Sequence, residues 1–440
     1  MARRSARTMI AVAAAACLTL AACGQGENPA DADAGGDEGG GEDSGDVELR
    51  FTWWGADLRH RLTQETIDAF EAEHPGITVT PEYTDWNGYW DRLATTAAAG
   101  DLPDIIQMDE KYLRTYAEQG SLLDLSTLEA LDTGEIDPGA LPSGEVDGGL
   151  YGLVTSVNAY SMITNATLLE QAGIEAPDDS SWTWEEFAQT AQAVTEGTDD
   201  DVWGMQGLGI ADGDLNVWAR QVGDTQWTAE GTFGVSQDTL SEWWQYVVEL
   251  AETGAMPPPA VMEEKRAAGQ ESSAVATNTA AFGLWWSNQY AALSESSGDE
   301  LLLLRPPRHE AGGEAGLYYK PSMFWSAAAD TEHPEEVALF LDFLANSPDA
   351  GEILLVERGV PSNLAVREHV TPLLDEAGQT TVAFIDDISD EVGAAPAVTP
   401  QGASEFEPTL QRHNLDVLFG NLSPQDAAAQ LTADTEAMIE

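Results

Sequence analysis

From Val47 onward the chain switches repeatedly between the two periods that separate strands from helices, and this alternation constrains the fold more than any other feature. "VELRFTW" puts Val47, Leu49, Phe51 and Trp53 on one face at period two, a strand pattern. Helical spacing follows from Leu58 to Glu73 and stops at His74-Pro75-Gly76. "ITV" then reads as a strand, "NGYWDRLATTAAAG" as a helix, "PDIIQM" as a buried strand and "EKYLRTYAEQG" as a helix ending on Gly120. A β-α-β-α-β-α run predicts an α/β architecture with a largely parallel sheet and covering helices. Later, Thr183 and Glu186 form a capping box for a helix through Ala193, Asp238 caps "TLSEWWQYVVELAETG", and "LLLL" at 301–304 is another buried strand. Ser347-Pro348 and Ser423-Pro424 each place a cap residue before a proline at the first helical position. At 440 residues the chain suffices for two or three domains, or for one large two-lobed one.

Charge narrows the partners. With 18 basic against 77 acidic residues, the formal net charge of −59 argues against electrostatic binding to nucleic acid or to anionic lipid headgroups. A neutral or cationic ligand fits better. Lysine occurs only at Lys111, Lys265 and Lys320, and so acidic a surface equally suits solubility or salt adaptation.

The N-terminus supplies an address. "MARRSARTMIAVAAAACLTLAAC" has Arg3, Arg4 and Arg7, then an apolar run from Met9 to Ala22, then Cys23, the layout of a signal peptide. The run is shorter than the roughly 20 residues that span a bilayer. Leu20-Ala21-Ala22-Cys23 resembles the bacterial lipobox, so residues 1–22 are expected to be removed and Cys23 to become the lipidated first residue. Arg3-Arg4 also fits a twin-arginine signal, though ordinary basic regions look the same. Cys17 would leave with the signal, so no intramolecular disulfide is expected at this extracytoplasmic address. Residues 24–46 are rich in Gly, Asp and Glu, with no aromatic, β-branched or basic residue, and read as a solvated tether. Asp31-x-Asp33 with Gly35 in the third-ligand place is a poor calcium loop.

Catalytic signatures are missing: there is no G-x-S-x-G, H-E-x-x-H, Walker loop or G-x-G-x-x-G. His60, His74, His309, His333, His369 and His413 show no metal-ligand spacing, so no metal and no cofactor is expected. A pair of glycosidase carboxylates would be invisible among so many acids, which keeps an exported glycosidase or lyase open as the alternative.

Tryptophan is the more informative residue, at 14 against 11 Phe and 10 Tyr. Trp243, Trp244, Trp182 and Trp184 read as packing. Trp54 ends the first strand and leads into a loop at a strand's carboxyl end, where open α/β sheets bind ligands. Trp86, Tyr89 and Trp90 fall at helix spacing beside Asp85 and Asn87, and Asp109, Glu110 and Lys111 follow the third strand. In "AAFGLWWSNQY", residues 280–290, adjacent Trp285 and Trp286 must face opposite sides of a strand, with Ser287, Asn288 and Gln289 next to them. Indoles beside amides, hydroxyls and charges suit a sugar, whose apolar C–H face packs on a ring while its hydroxyls need both donors and acceptors.

"FTWWGADLRHRLTQETIDAFEAEHPGITV", "DLPDIIQMDEKYLRTYAEQGSLLDLS", "YGLVTSVNAYSMITN", "TWEEF", "KPSMFWSAAADTEHPEEVALFLDFLANSPDAGEIL" and "RGVPSN", in this order, resemble the extracellular solute-binding proteins of ABC sugar importers, of which the maltose-binding type is best known. The resemblance covers Val47 to the C-terminus. It implies a two-lobed periplasmic-binding-protein fold, with residues 47–158 plus 326–372 in one lobe, 159–325 plus 373–440 in the other, and crossings near 156–160, 324–330 and 370–378. It implies hinge closure on one ligand in the cleft. Carried onto this chain, it points to Trp54, Asp57, Asp109, Lys111, Ser156, Asn158, Trp285, Trp286 and Asn288 as ligand contacts; Trp86, Trp90, Trp218 and Trp325 complete the candidate set. It further implies a carbohydrate-binding lipoprotein, not an enzyme, that serves ABC permease subunits from the outer face of the cell membrane as a monomer. Two departures argue against maltodextrin itself: Thr164-Asn165 replaces the usual Tyr-Asn, and Glu407 stands where the maltose type has aromatics. A cationic polyamine in the same fold is the reading that the acidic charge would favour.

Overall fold

Val47–Trp54, the first strand, lies between two parallel neighbours, Ile77–Thr84 and Ile105–Met108, with Val47 opposite Ile77 and Phe51 opposite both Pro81 and Ile105. The computed structural model describes residues 47–439; the expected signal segment, tether and Cys23 lie outside the described residues. Alternation along the first strand holds as far as Phe51, after which both faces are covered and Thr52, Trp53 and Trp54 are all buried. The helix Asp57–Glu73 lays Thr63, Thr66, Ile67 and Phe70 against this sheet, and Phe70 meets Phe340 edge to face at 4.8 Å.

The rest of the sheet departs from the parallel expectation. Phe324–Ala327 adds antiparallel to the third strand, and Leu153–Val154 adds antiparallel to that. Segments distant in sequence supply these edges, so local periodicity carries no trace of their direction.

A second sheet is organised on the ten-residue strand Ser156–Asn165, buried throughout. Its beginning pairs with Val360–Pro361 and Tyr319–Pro321, and its end with Ala280–Trp286 and Leu301–Leu304, all antiparallel. Trp203–Met205 then pairs parallel with Ala280–Trp286. The two large hydrophobic clusters meet on this strand: Val157 and Ala159 belong to the first, Tyr160 and Met162 to the second. Tyr318 and Tyr319 divide in the same way. The helix Glu376–Asp387, which the sequence reading gives to the second lobe, sends Val382, Phe384 and Ile385 into the first cluster.

Local signals behave as the residues dictate. Thr183 and Glu186 form the capping box, and Ser347 and Ser423 accept from backbone N–H groups three residues on. The helix at 237–252 is capped by Ser236 rather than Asp238, which lies within its first turn. Ser236 carries the extended backbone that a cap requires, and an acid in the first turn still suits the helix dipole. Among the described residues no helix is long and apolar enough to cross a membrane.

Candidate functional site

Two groups of aromatic residues stand out, and they differ in how much ring surface they leave open. In the first, the strand end brings Trp54 against the helix Trp86–Ala99, whose first turns present Trp86, Tyr89 and Trp90 on one side. Trp54 lies 5.0 Å from Trp86, 5.2 Å from Tyr89 and 5.6 Å from Trp90, and Trp90 stacks on Tyr112 at 3.8 Å. Expected residues Trp54, Trp86 and Trp90 are thus brought together. Yet Trp54 and Trp90 spend their faces on each other and on tyrosines, and of the three tryptophans only Trp86, at 37% exposure, shows solvent a ring.

The second group lies where residues of the two hydrophobic clusters approach. Trp286 ends the strand Ala280–Trp286 and meets Tyr160 at 4.8 Å and Tyr318 at 5.8 Å, both edge to face. Lys320 holds its Nζ 5.0 Å over the Trp286 ring and 3.2 Å from the Glu110 carboxylate. Trp286, Tyr318, Lys320 and Glu110 line a small pocket of 70 Å³ with Ser143, Asp212, Asn216 and Trp227. Glu110 comes from the helix after the third strand, whereas Asp212 and Asn216 come from the helix Asp212–Gln221. The pocket therefore offers one aromatic face, one ammonium and several carboxylate and amide groups from both halves.

Electrostatics hold Lys320 in its charged form and push the carboxyls nearby toward their neutral forms. Burial works against the Lys320 ammonium, but the charges of Glu110 and Asp212 outweigh it and raise its pKa. Burial raises the Glu407 carboxyl, and the nearby charge of Asp212 adds to the rise. Asp109, beside the pocket as the cap of the helix Glu110–Glu118, is pushed up to about 6 by burial and by the charge of Glu110.

A larger pocket of 310 Å³ opens within the second half, also against Trp286, and is walled by Tyr160, Met262 and Leu284 with Gln206 and Trp285 inside it. Tyr160 is fixed from behind: its hydroxyl donates to Asp214, whose other oxygen accepts from the N–H groups of Gly209 at 2.8 Å and Ile210 at 3.0 Å. Burial raises the Asp214 carboxyl to about 7 against these donors.

Other expected residues are placed elsewhere. Asp57 is exposed in the first turn of its helix, Lys111 is exposed beside Glu110, and Asn288 is exposed in the turn Ser287–Gln289; none of the three lines either pocket. Asp109 is a cap residue, and its neighbour Glu110 reaches the pocket instead. Ser156 donates to the Arg358 carbonyl and bonds Ser322, and Asn158 donates to Ser322 at 3.0 Å, so both tie the central strand to neighbouring segments. Trp218 is buried among Trp184, Tyr246 and His309. Trp325 is buried against Phe51 with the Arg358 guanidinium 5.2 Å over its ring. The indoles are amphipathic, and sequence alone does not tell a core indole from a cleft one.

Sequence reasoning missed Tyr318, Lys320, Asp212, Asn216 and Trp227. A signal existed for the first two: "YYKP" alternates around Tyr319, which points into the first cluster, so Tyr318 and Lys320 share the other face.

The bacterial extracellular solute-binding protein model matches residues 65–378, well over half of the chain. The chain belongs to this solute-binding family. A family-1 extracellular solute-binding protein from Alicyclobacillus acidocaldarius is 28% identical, covering 90% of this chain and 99% of its own, with a TM-score of 0.79. A periplasmic oligogalacturonide-binding protein from Yersinia enterocolitica shares the fold at a TM-score of 0.78 and 24% identity, covering 89% of this chain and 99% of its own. The solute-binding fold here is accordingly the two-lobed α/β fold of those structures. An uncharacterised lipoprotein from Streptomyces antibioticus is 31% identical over 194 residues, 43% of this chain. That match spans 40% of the relative's length.

Proposed function

We propose that this solute-binding protein captures a sugar or short oligosaccharide between its lobes and delivers it to the transmembrane subunits of an ABC importer. The observation that carries the reading is Trp286, an indole partly open to a pocket whose polar groups, Glu110, Lys320, Asp212 and Asn216, come from both halves of the chain. A pyranose ring uses such a set on two fronts, packing its C–H face on the indole and exchanging hydroxyl hydrogen bonds with the rim. One aromatic contact contributes about 0.5–1.5 kcal/mol beyond area burial. A net hydrogen bond adds about 1 kcal/mol. Micromolar capture needs about 8 kcal/mol, within reach of one or two stacks and five or so hydrogen bonds.

In this reading the lobes divide where the hydrophobic clusters meet, along Ser156–Asn165, and Glu110 and Lys320 meet Trp286 beside that division. Cys23 carries the lipid that holds the monomer at the outer face of the membrane, in line with the related lipoprotein. The carboxylates around the pocket would suit a cationic ligand, but Lys320 stands at the centre of them. Its ammonium disfavours a polyamine and suits a neutral polyol. The ligand leaves unchanged, so the chain acts as a carrier and not as an enzyme.

The test is a thermal-shift screen of the purified protein against mono- and oligosaccharides, with polyamines as controls and product analysis of each hit. A binder stabilises by about 2.7 kcal/mol at a hundredfold excess over Kd. A saccharide shift lost in Trp286→Ala, with intact sugar recovered, supports the reading. Cleaved sugar, or a shift with polyamines alone, overturns it. Cys23→Ala should move the protein from the membrane to the soluble fraction.

A further inference from the structure

Among the described residues Lys320 is the only cation lining the 70 Å³ pocket, and carboxylates approach it from both halves. Glu110 bonds it at 3.2 Å from the helix Glu110–Glu118, whose Leu113 and Tyr116 pack into the first hydrophobic cluster. Asp212 begins the helix Asp212–Gln221, whose Leu215 and Val217 pack into the second. The charges of Glu110, Asp212 and Asp109 all act on the Lys320 ammonium. Burial raises the Tyr318 hydroxyl, and Asp212 and Glu110 both add to that rise, so acids of the two halves bear on one point. Glu407 adds a further carboxyl in side-chain contact with Asp212. The nearest other cations are committed elsewhere: Arg266 is bound to Glu263, and Arg220 donates to the Ala394 carbonyl at 2.6 Å without lining this pocket.

The place of Lys320 in the chain sets it apart from its acids. It pairs with Asn158 on the strand Ser156–Asn165, where the two clusters meet, and its neighbours Tyr319 and Tyr318 belong to the first and the second cluster respectively. The ammonium thus stands on the dividing line, whereas Glu110 and Asp212 are carried by helices to either side. Its hydrogen-bonding capacity is already engaged, with the Glu110 carboxylate on one side and the Trp286 ring on the other. Like charges set against each other across an interface repel, and a cation between them removes the penalty.

We infer that Lys320 is a positioning residue and not a ligand donor: it is the counter-ion on the dividing strand that lets Glu110 and Asp212 approach each other, and so it governs how far the two halves close. The inference rests on the proposed capture of a ligand between the lobes and deepens it by naming the group that regulates closure. The ligand is then left to Trp286, Asp212 and Asn216.

Lys320→Met keeps an apolar stem against Trp286 and removes the charge. At low salt and about pH 8, where free carboxyls are ionised, this variant should show a larger radius of gyration than the parent protein in X-ray scattering without saccharide. Adding Glu110→Gln, or raising salt to about 0.5 M, where the Debye length falls to roughly 4 Å, should restore the parent value. Lys320→Arg, which keeps the charge, should behave as the parent. In calorimetric titration with glucose, galactose, maltose and cellobiose, Lys320→Met should weaken the best binder about tenfold at low salt, and the same two changes should recover most of that loss. A loss that neither salt nor Glu110→Gln reduces makes Lys320 a direct ligand donor and overturns the inference. An unchanged radius of gyration in Lys320→Met overturns it whatever the affinities, and so does a larger radius that both changes leave in place, which marks lost structure. If none of the four sugars binds the parent protein, the sugar reading fails for them, and the scattering comparison alone decides the role of Lys320.

Discussion

Lys320 holds its ammonium 5.0 Å over the Trp286 ring while bonding Glu110 at 3.2 Å, which links the strand Tyr319–Pro321 to both sides of the candidate pocket. The indole gains from the cation, and the cation is held by the acid. Removing the ring takes away the stacking face and leaves the ammonium without its partner surface. Trp286→Ala should therefore weaken saccharide binding by about 2 kcal/mol, roughly thirtyfold, in calorimetric titration. An unchanged affinity would move the site away from Trp286.

Trp218 and Trp325 are expected to respond in the opposite way. Each is at most 5% exposed and packed among aromatic rings. Trp218→Ala or Trp325→Ala should cost about 3–5 kcal/mol of stability in denaturant unfolding. Any folded fraction should bind saccharide with near-normal affinity. A selective loss of binding at full stability would return these indoles to the cleft.

Asp214 makes stability depend on pH. Its carboxyl is raised by burial to about 7, so between about pH 4 and 7 the folded chain holds a proton that the unfolded chain has released. The stabilising contribution is complete below about pH 4 and is lost as pH rises through about 7, with a slope of up to about 1.4 kcal/mol per pH unit. Asp214→Asn should flatten that slope in unfolding curves recorded across the window. If the variant keeps the wild-type slope, another group is responsible.

Gly359 sits with a φ of +110°, and a Cβ there would come within 2.6 Å of Ser322 Oγ, the atom that also bonds Ser156 and Asn158. Both the backbone and the space oppose a side chain. Gly359→Ala should lower stability by about 1–3 kcal/mol, read as a lower denaturation midpoint. Unchanged stability would mean that this junction yields freely.

Much of the fold was legible because its signals are local. Val47, Leu49 and Phe51 alternate as a strand must, Thr183 and Glu186 sit three apart as a capping box must, and Trp86 and Trp90 share a helix face by spacing alone. The Trp54, Trp86 and Trp90 group was legible for the same reason, being a strand end beside a helix start. The meeting of Lys320 with Asp212 and Glu110 was not, since the three lie far apart in the chain, one on the strand Tyr319–Pro321 and the others on two separate helices.

Sequence by itself determined that Trp285 and Trp286 face opposite sides, because a strand allows nothing else. It also determined the α/β class, the strongly acidic balance and the ordered motifs of the family. Only the tertiary structure decided what stands on each side of that strand: Tyr160, Tyr318 and Lys320 by Trp286, and Gln206 by Trp285. Those neighbours arrive from segments whose directions are set by long-range pairing and burial, and period carries no information about either.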